Sequence, residues 1–259
     1  MKTPIVSVIM PCYNSSGYIQ EAVESVINQT FTDWELIIVD DCSTDSDIMP
    51  LLHSFSSRDK RITIVTSEHN AGPGAARNKG IKLAHGHFLA FLDSDDYWYP
   101  HKLEEQIMFM QQYHFPFTCT YYEFCNANLD THHIVTLPSK LNYQDMLKGF
   151  AVGLQGTMID THFFGKIYMP ETYHAEDWQL WLQLLKKTDY LYVYPQICWK
   201  YRRTKTSTNS NKIGTAINVI KVYQKECNKS FISAIFMLLF KYIPHYIHRM
   251  HSSNLSLES

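Results

Sequence analysis

Short apolar runs rich in β-branched residues alternate with stretches of helical spacing through the first hundred residues, and this alternation limits the fold more than any other feature. Ile5 to Met10 opens the series, is predicted to stop at Pro11, and has the unbroken apolar character of a parallel strand buried on both faces. After the turn residues Tyr13-Asn14-Ser15-Ser16-Gly17, apolar side chains recur at Ile19, Ala22, Val23, Val26 and Ile27, which aligns them on one helical face. The pattern repeats with a strand over Glu35 to Val39, a helix-like stretch after Asp45, a strand over Ile62 to Thr66, a helix from Pro73 to Ala84 and a strand over Phe88 to Leu92. Such alternation predicts an α/β fold with a mostly parallel, Rossmann-like central sheet flanked by helices. Ligands of open sheets gather outside the carboxyl ends of strands, where Tyr13-Asn14, Asp40-Asp41 and Asp93-Ser94-Asp95-Asp96 all fall.

Beyond Pro100 the alternation weakens. A helix is predicted over His101 to Tyr113, a strand over Phe117 to Phe124, and a helix over Trp178 to Lys187 with Leu180, Trp181, Leu184 and Leu185 on one face. The polar run Arg202 to Lys212 reads as a loop or linker. The organisation expected is a first half over 1–100, a second half of the same domain over 101–210, and a C-terminal helical tail over 211–259. The apolar stretch Phe231 to Phe240 is too short to span a bilayer and runs on through Lys241, Pro244, His245, His248 and Arg249. Two readings fit it equally: a helix that closes the core, and a basic amphipathic segment in peripheral contact with a membrane.

Composition narrows the partners. A formal net charge of -2 gives no general attraction to nucleic acid, so no nucleic-acid partner is expected. Cys12, Cys42, Cys119, Cys125, Cys198 and Cys227 are dispersed without a CxxC pair, and the apolar start is too short for an export signal, so a soluble protein with reduced thiols in the cytoplasm is expected. The histidines, including His132-His133, stand at no recognised metal spacing and read as surface loops.

The polar clusters carry the chemistry. Asp93 and Asp95, one residue apart after a buried strand, offer the oxygen ligands that Mn2+ or Mg2+ prefers, although acidic turns are also common in solvated loops. A carboxylate in Asp40-Asp41 can accept a hydrogen bond from a uracil imide or a ribose hydroxyl; Asp45 suits helix capping better. The stretch from His69 to Asn78 joins glycines that admit close backbone approach to Arg77, one turn into a helix, an arrangement suited to phosphate. It lacks the third glycine of a dinucleotide fingerprint, which argues against an NAD enzyme. Glu176-Asp177 opens a helix, where acids gain from the helix dipole and also serve as plain caps. Of the tryptophans, Trp34, Trp181 and Trp199 fall in apolar patterns, whereas Trp98 and Trp178 are placed for contact with a sugar.

Taken together, these segments resemble family 2 of the inverting glycosyltransferases, of the bacterial surface-polysaccharide type, with the GT-A fold. The motifs that carry the resemblance occur in order: Pro11-Cys12-Tyr13-Asn14, Val39-Asp40-Asp41 with Thr44-Asp45, Asn70 to Asn78, Leu92 to Asp96, Glu176-Asp177, and Tyr201-Arg202-Arg203 with Ser207. The resemblance implies nucleotide contacts from Pro11, Tyr13, Asn14, Asp41, Asn70, Arg77, Asp93 and Ser94, with Tyr13 stacking on the base and Asp41 preferred to Asp40 for hydrogen bonding it. It implies a metal on Asp95 and Asp93, Asp177 as catalytic base beside Glu176, and help from Arg202 and Arg203 with the leaving diphosphate. The donor implied is a UDP-sugar, and the acceptor a saccharide or lipid-linked saccharide in surface polysaccharide assembly. Thr118 to Tyr173, expected to form much of the acceptor pocket, matches no pattern. The rival readings are a sugar nucleotidyltransferase, which usually carries a basic Gly-rich loop after its first strand, and a non-catalytic nucleotide-sugar binding module, which would not need Asp177.

Overall fold

The computed structural model describes residues 3–170, 175–203 and 212–247; Ser207, His248 and Arg249 lie outside the described residues. Along the first part of the chain β1 (Val6–Cys12), α1 (Ile19–Ile27), β2 (Trp34–Asp40), α2 (Ile48–Arg58), β3 (Ile62–Thr66), α3 (Pro73–Leu83) and β4 (Phe88–Phe91) alternate as the apolar periodicity predicts. Their strands pair in parallel in the order β3-β2-β1-β4. Side chains of β1 divide between the two faces with period two. Val8 and Met10 pack with Ile19 and Val23 of α1 and Leu52 of α2, while Ile9 packs with Ala76 and Ile81 of α3.

The first strand runs two residues past the expected stop, through Pro11 to Cys12. Phe88 and Leu92 donate to the carbonyls of Ile5 and Ile9, so odd-numbered residues of β1 point their backbone groups toward β4. Pro11 would point the same way, but β4 has already ended, and its missing N–H leaves no ladder acceptor unpaired.

The second part is mixed. β5 (Tyr97–Trp98), α4 (Lys102–Tyr113), β6 (Phe117–Cys125), β7 (Thr131–Val135), β8 (Lys140–Leu141), α5 (Tyr143–Met146), β9 (Met158–Asp160), α6 (Thr161–Phe164) and α7 (Glu176–Leu184) lead to β10 (Leu191–Arg202), α8 (Lys212–Glu226) and α9 (Phe231–Met237). The sheet continues β4-β9-β6-β10-β5, with β9 antiparallel to both β4 and β6, and β10 parallel to β6. The purely parallel arrangement therefore belongs to the first half, and the second half mixes the two senses. β10 is a twelve-residue strand that the periodicity does not announce, because Pro195 interrupts it. A register shift between Tyr194 and Ile197 lets Pro195 and Gln196 bulge out exposed while pairing resumes on either side.

Candidate active site

Four connections at the carboxyl ends of the first strands are tied to one another by side chains. In the loop after β1, Tyr13 is 46% exposed with its ring available, and Asn14 takes a left-handed backbone (φ 49°). The Asn14 Oδ1 accepts from the N–H groups of Thr44 (2.8 Å) and Asp45 (3.1 Å), and the Asn14 N–H donates to Ser43 Oγ (2.9 Å). Asn14 thus stitches the first loop to the second and holds Tyr13 in place, rather than offering a free amide. Pro11 is buried within β1 and shapes the strand end from inside.

The two aspartates after β2 divide their work. Asp40 is committed to Ser43, whose hydroxyl donates to it at 2.5 Å. Asp41 accepts the N–H groups of Ala71 (2.9 Å) and Gly72 (2.7 Å) on Oδ2, while its buried Oδ1 has no partner. An orphaned buried acceptor costs on the order of 1–3 kcal/mol, so a ligand N–H or O–H offered there would be bound.

Asn70 Oδ1 accepts from the Gly72 N–H (3.0 Å), and Gly72 enters α3 at φ 87°, a backbone that suits glycine alone. One turn later the buried Arg77 donates to Asp93 Oδ1 (2.6 Å) and to Glu176 Oε1 (3.3 Å), joining the end of β4 to the start of α7. A β-carbon at Gly74 would lie 3.6 Å from Glu176 Cγ, so the amino ends of α3 and α7 are adjacent. The Asn78 amide clamps the backbone of Met169 through both its oxygen (2.6 Å) and its nitrogen (2.9 Å). Met169 is thereby held on α3.

The acidic turn after β4 is fixed from three sides. Asp93 receives Arg77 on one oxygen and Gln155 Nε2 (2.8 Å) on the other. Asp96 is buried and accepts the Arg202 backbone N–H (2.8 Å); burial, then the carboxylates of Asp95 and Asp93, push its pKa well above the usual range. Burial and the neighbouring Asp93 push Asp95 up to about 6, and Ser94 is buried between them. Two hard-oxygen donors crowded into a partly desolvated turn fit a divalent cation, whose charge would relieve their repulsion. Among the described residues the other acidic cluster with metal-ligating groups, His87, Asp160 and His162, flanks the opposite end of β4. Its two imidazoles stack at 3.8 Å and 16°, its ligand atoms lie within 4.8 Å of one another, and His87 Nε2 lies 2.9 Å from Asp160 Oδ1.

At the start of α7, Ala175 occupies the left-handed region (φ 62°), a strained backbone for a residue with a β-carbon. Glu176 is taken by Arg77. Asp177 accepts the Trp178 N–H (2.7 Å), and burial, then the Glu176 carboxylate, raise its pKa to about 6.

Three expectations are corrected. Trp98 is fully buried with its indole N–H on the Gln155 carbonyl (2.9 Å), and Trp178 is buried against Tyr223 with its N–H on the Met146 carbonyl (2.8 Å). Both pack the core, and neither presents a ring to a sugar. Arg202, 2% exposed, donates to the carbonyls of Asp95 (2.7 Å) and Ala127 (2.5 Å) and to Glu21, so it struts the acidic turn instead of reaching a phosphate. Arg203 is exposed and stacks over Phe124 at 4.2 Å. Gln155, in contrast, escaped the sequence. It sits in a single 3-10 turn, Leu154–Gly156, pressed so closely on Trp199 that a β-carbon on Gly153 would lie 2.2 Å from the indole.

The profile of Glycosyl transferase family 2 matches residues 7–166. The chain is 38% identical over 232 residues to the putative teichuronic acid biosynthesis glycosyltransferase TuaG of Bacillus subtilis, covering 89% of this chain and 92% of that one. It is 38% identical over 209 residues to WfgD of Escherichia coli, described as a UDP-Glc:alpha-D-GlcNAc-diphosphoundecaprenol beta-1,3-glucosyltransferase, covering 80% and 81%. Solved structures share the fold: S. aureus TarS 1-349 in complex with UDP-GlcNAc superposes with TM-score 0.66 at 22% identity, covering 90% of this chain and 70% of that one. The mannosyltransferase PcManGT of Pyrobaculum calidifontis, in complex with GDP-Man and Mn2+, superposes with TM-score 0.65 at 15% identity, covering 89% and 66%. The expected GT-A fold is the fold found.

Proposed function

The chain belongs to glycosyl transferase family 2, and on that footing we propose that it moves one hexose from a UDP-sugar to a hydroxyl of a lipid-linked saccharide, with inversion, in surface polysaccharide assembly. The observation that carries the reading is the bonded series Gln155, Asp93, Arg77, Glu176, which draws the end of β4 and the start of α7 to one locus. Residues 1–100 serve the donor, 101–210 the acceptor, and 211–259 are a tail whose described residues carry α8 and α9. The protein works in the cytoplasm, at the inner face of the membrane.

In this reading Tyr13 stacks on the uracil and Asp41 Oδ1 accepts its imide N–H. Asn70, Ser94 and the amino end of α3 lie along the ribose and diphosphate, and exposed Arg203 follows the Arg202 strut directly. Asp93 and Asp95 are the residues that would hold Mn2+ or Mg2+, and such an ion supplies charge neutralisation for the departing diphosphate. Asp177, ionised about ten to one at pH 7 from its pKa of about 6, takes the proton of the acceptor hydroxyl. That oxygen bonds to the anomeric carbon from the face opposite the nucleotide, the bond from carbon to phosphate oxygen breaks, and the nucleoside diphosphate leaves. Relatives named for a diphosphoundecaprenol acceptor and a neighbour bound to UDP-GlcNAc support the choice of substrates.

The test incubates the protein with a panel of UDP-sugars and a short polyprenyl diphosphate-linked N-acetylhexosamine, with and without Mn2+, and reads released nucleotide and the product's anomeric configuration. UDP released only with acceptor, giving a product of opposite configuration, is expected. Pyrophosphate release would assign a nucleotidyltransferase, donor binding without transfer a binding module, and retained configuration would remove the role of Asp177.

A further inference from the structure

The chain ends its described part in a helical run from Phe231 to Ile247, α9 continuing through a π-turn at Leu238–Tyr242. One face is used: Ala234 and Leu238 are buried in the core that also holds Val219, Val222 and Tyr223 of α8. The opposite face is also apolar and meets water. Ile232, Phe236 and Phe240 recur every four residues and are 69%, 58% and 71% exposed, with Phe231, Leu239 and Ile247 beside them at 57%, 48% and 49%. The rings of Phe236 and Phe240 stack in solvent at 5.8 Å and 14°. A contiguous apolar strip of this kind marks an interaction surface.

Charge identifies what covers it. Lys221, Lys225 and Lys229, also four residues apart, are exposed just before the strip. No Asp or Glu occurs between Cys227 and Leu257. The nearest acid, Glu226, is buried and turned inward onto Gln183 (2.9 Å) and Lys186 (3.3 Å). A second copy docked symmetrically would bring the same cations toward one another. An anionic lipid surface complements both the rings and the lysines. Among the described residues no single helix is long and apolar enough to cross a membrane. Ile213–Glu226 and Phe231–Ile247 reach that length and apolarity only together, with a bend of 119° between them, and with Ala234 and Leu238 buried in the core shared with α8 the strip is left to meet a bilayer at its surface.

We infer that the face formed by Ile232, Phe236, Leu239 and Phe240 docks on an anionic bilayer, with Lys225 and Lys229 at the headgroups. The inference rests on the proposed lipid-linked acceptor for its purpose, since docking would deliver the site to that acceptor, but its chemistry is independent of it. The experiment is flotation with phosphatidylcholine vesicles, with and without phosphatidylglycerol, at low and high salt. The variants are Phe236→Ser with Phe240→Ser, and Lys225→Glu with Lys229→Glu; all four positions are exposed, so folding is retained and is checked by thermal unfolding. The unsubstituted protein is expected to float with phosphatidylglycerol vesicles and to be released by salt, each variant losing about tenfold or more in binding. Absence of flotation, or variants that float equally, would overturn the docking. A dimer in sedimentation velocity that the phenylalanine substitutions abolish would assign the face to a second copy and overturn it too. Binding of UDP-sugars in solution is read on the same samples, so failure of the proposed function appears separately.

Discussion

Replacing Asp177 by Asn should make the protein more stable and nearly inactive at once. The folded carboxyl titrates at about 6 against a model value of 3.8, raised by burial and by Glu176. About two units correspond to an upper limit of about 3 kcal/mol, and screening of a partly exposed group reduces this to about 1–2 kcal/mol. The sign follows from proton binding: the folded state holds this proton more tightly, so the group's contribution is fully present below about pH 4 and is lost as pH rises through about 6. Above that the ionised side chain is a standing penalty. Asn keeps the oxygen that accepts the Trp178 N–H and carries no charge. Thermal unfolding at pH 8 should therefore show a gain, with about 2–4 °C for each kcal/mol in a chain of this size, falling by about half at pH 5. Turnover should drop by about 10² to 10⁴ as expected for loss of a general base, and the rise of kcat/KM through about pH 6 in the unsubstituted protein should disappear. A variant that keeps its turnover, or that is no more stable at pH 8, would refute the reasoning.

Three further outcomes follow from the turn that carries Gln155. Gln155→Ala frees one oxygen of Asp93, and the KM for the UDP-sugar should rise about tenfold with the fold intact, while Gln155→Glu should be worse because it sets a third carboxylate beside Asp93 and Asp95; titration calorimetry with UDP and Mn2+ checks both. Gly153→Ala forces a methyl into Trp199 and should cost about 1–3 kcal/mol in denaturant unfolding.

The first half of the fold is legible because its signals are local. Ile62 to Thr66 is a strand in sequence and in structure, and the burial of β1 on both faces follows from its own unbroken apolar run. Motifs such as Asn70 to Asn78 and Glu176-Asp177 are visible singly, but the Arg77 bonds that join them span 16 and 99 residues, a distance no pattern encodes. The same limit explains the errors. Trp98 follows the acidic turn and so suggests a sugar platform, yet its neighbours are set by the pairing of β5 with β10, which Pro195 conceals. Gln155 carries no motif at all; its meaning comes from a turn flattened on an indole supplied by Trp199. Asp41 shows the opposite case, since it stands out in the sequence as an acceptor and its two bonds to the loop before α3 leave one buried oxygen unpaired.

The strut from β10 also gives the acidic turn a history. Asp96 is held by a backbone N–H that stands 106 residues later in the chain. At ribosomal speeds of about 5–20 residues per second, the turn waits roughly 5–20 seconds after its own synthesis for the strand that anchors it. During that interval β6 presents a bare edge to any other nascent strand. The first half therefore cannot mature by itself, and shortening the gene ahead of residue 191 would remove the Arg202 bonds to Asp96 and Asp95 and leave the turn only Arg77 and Gln155.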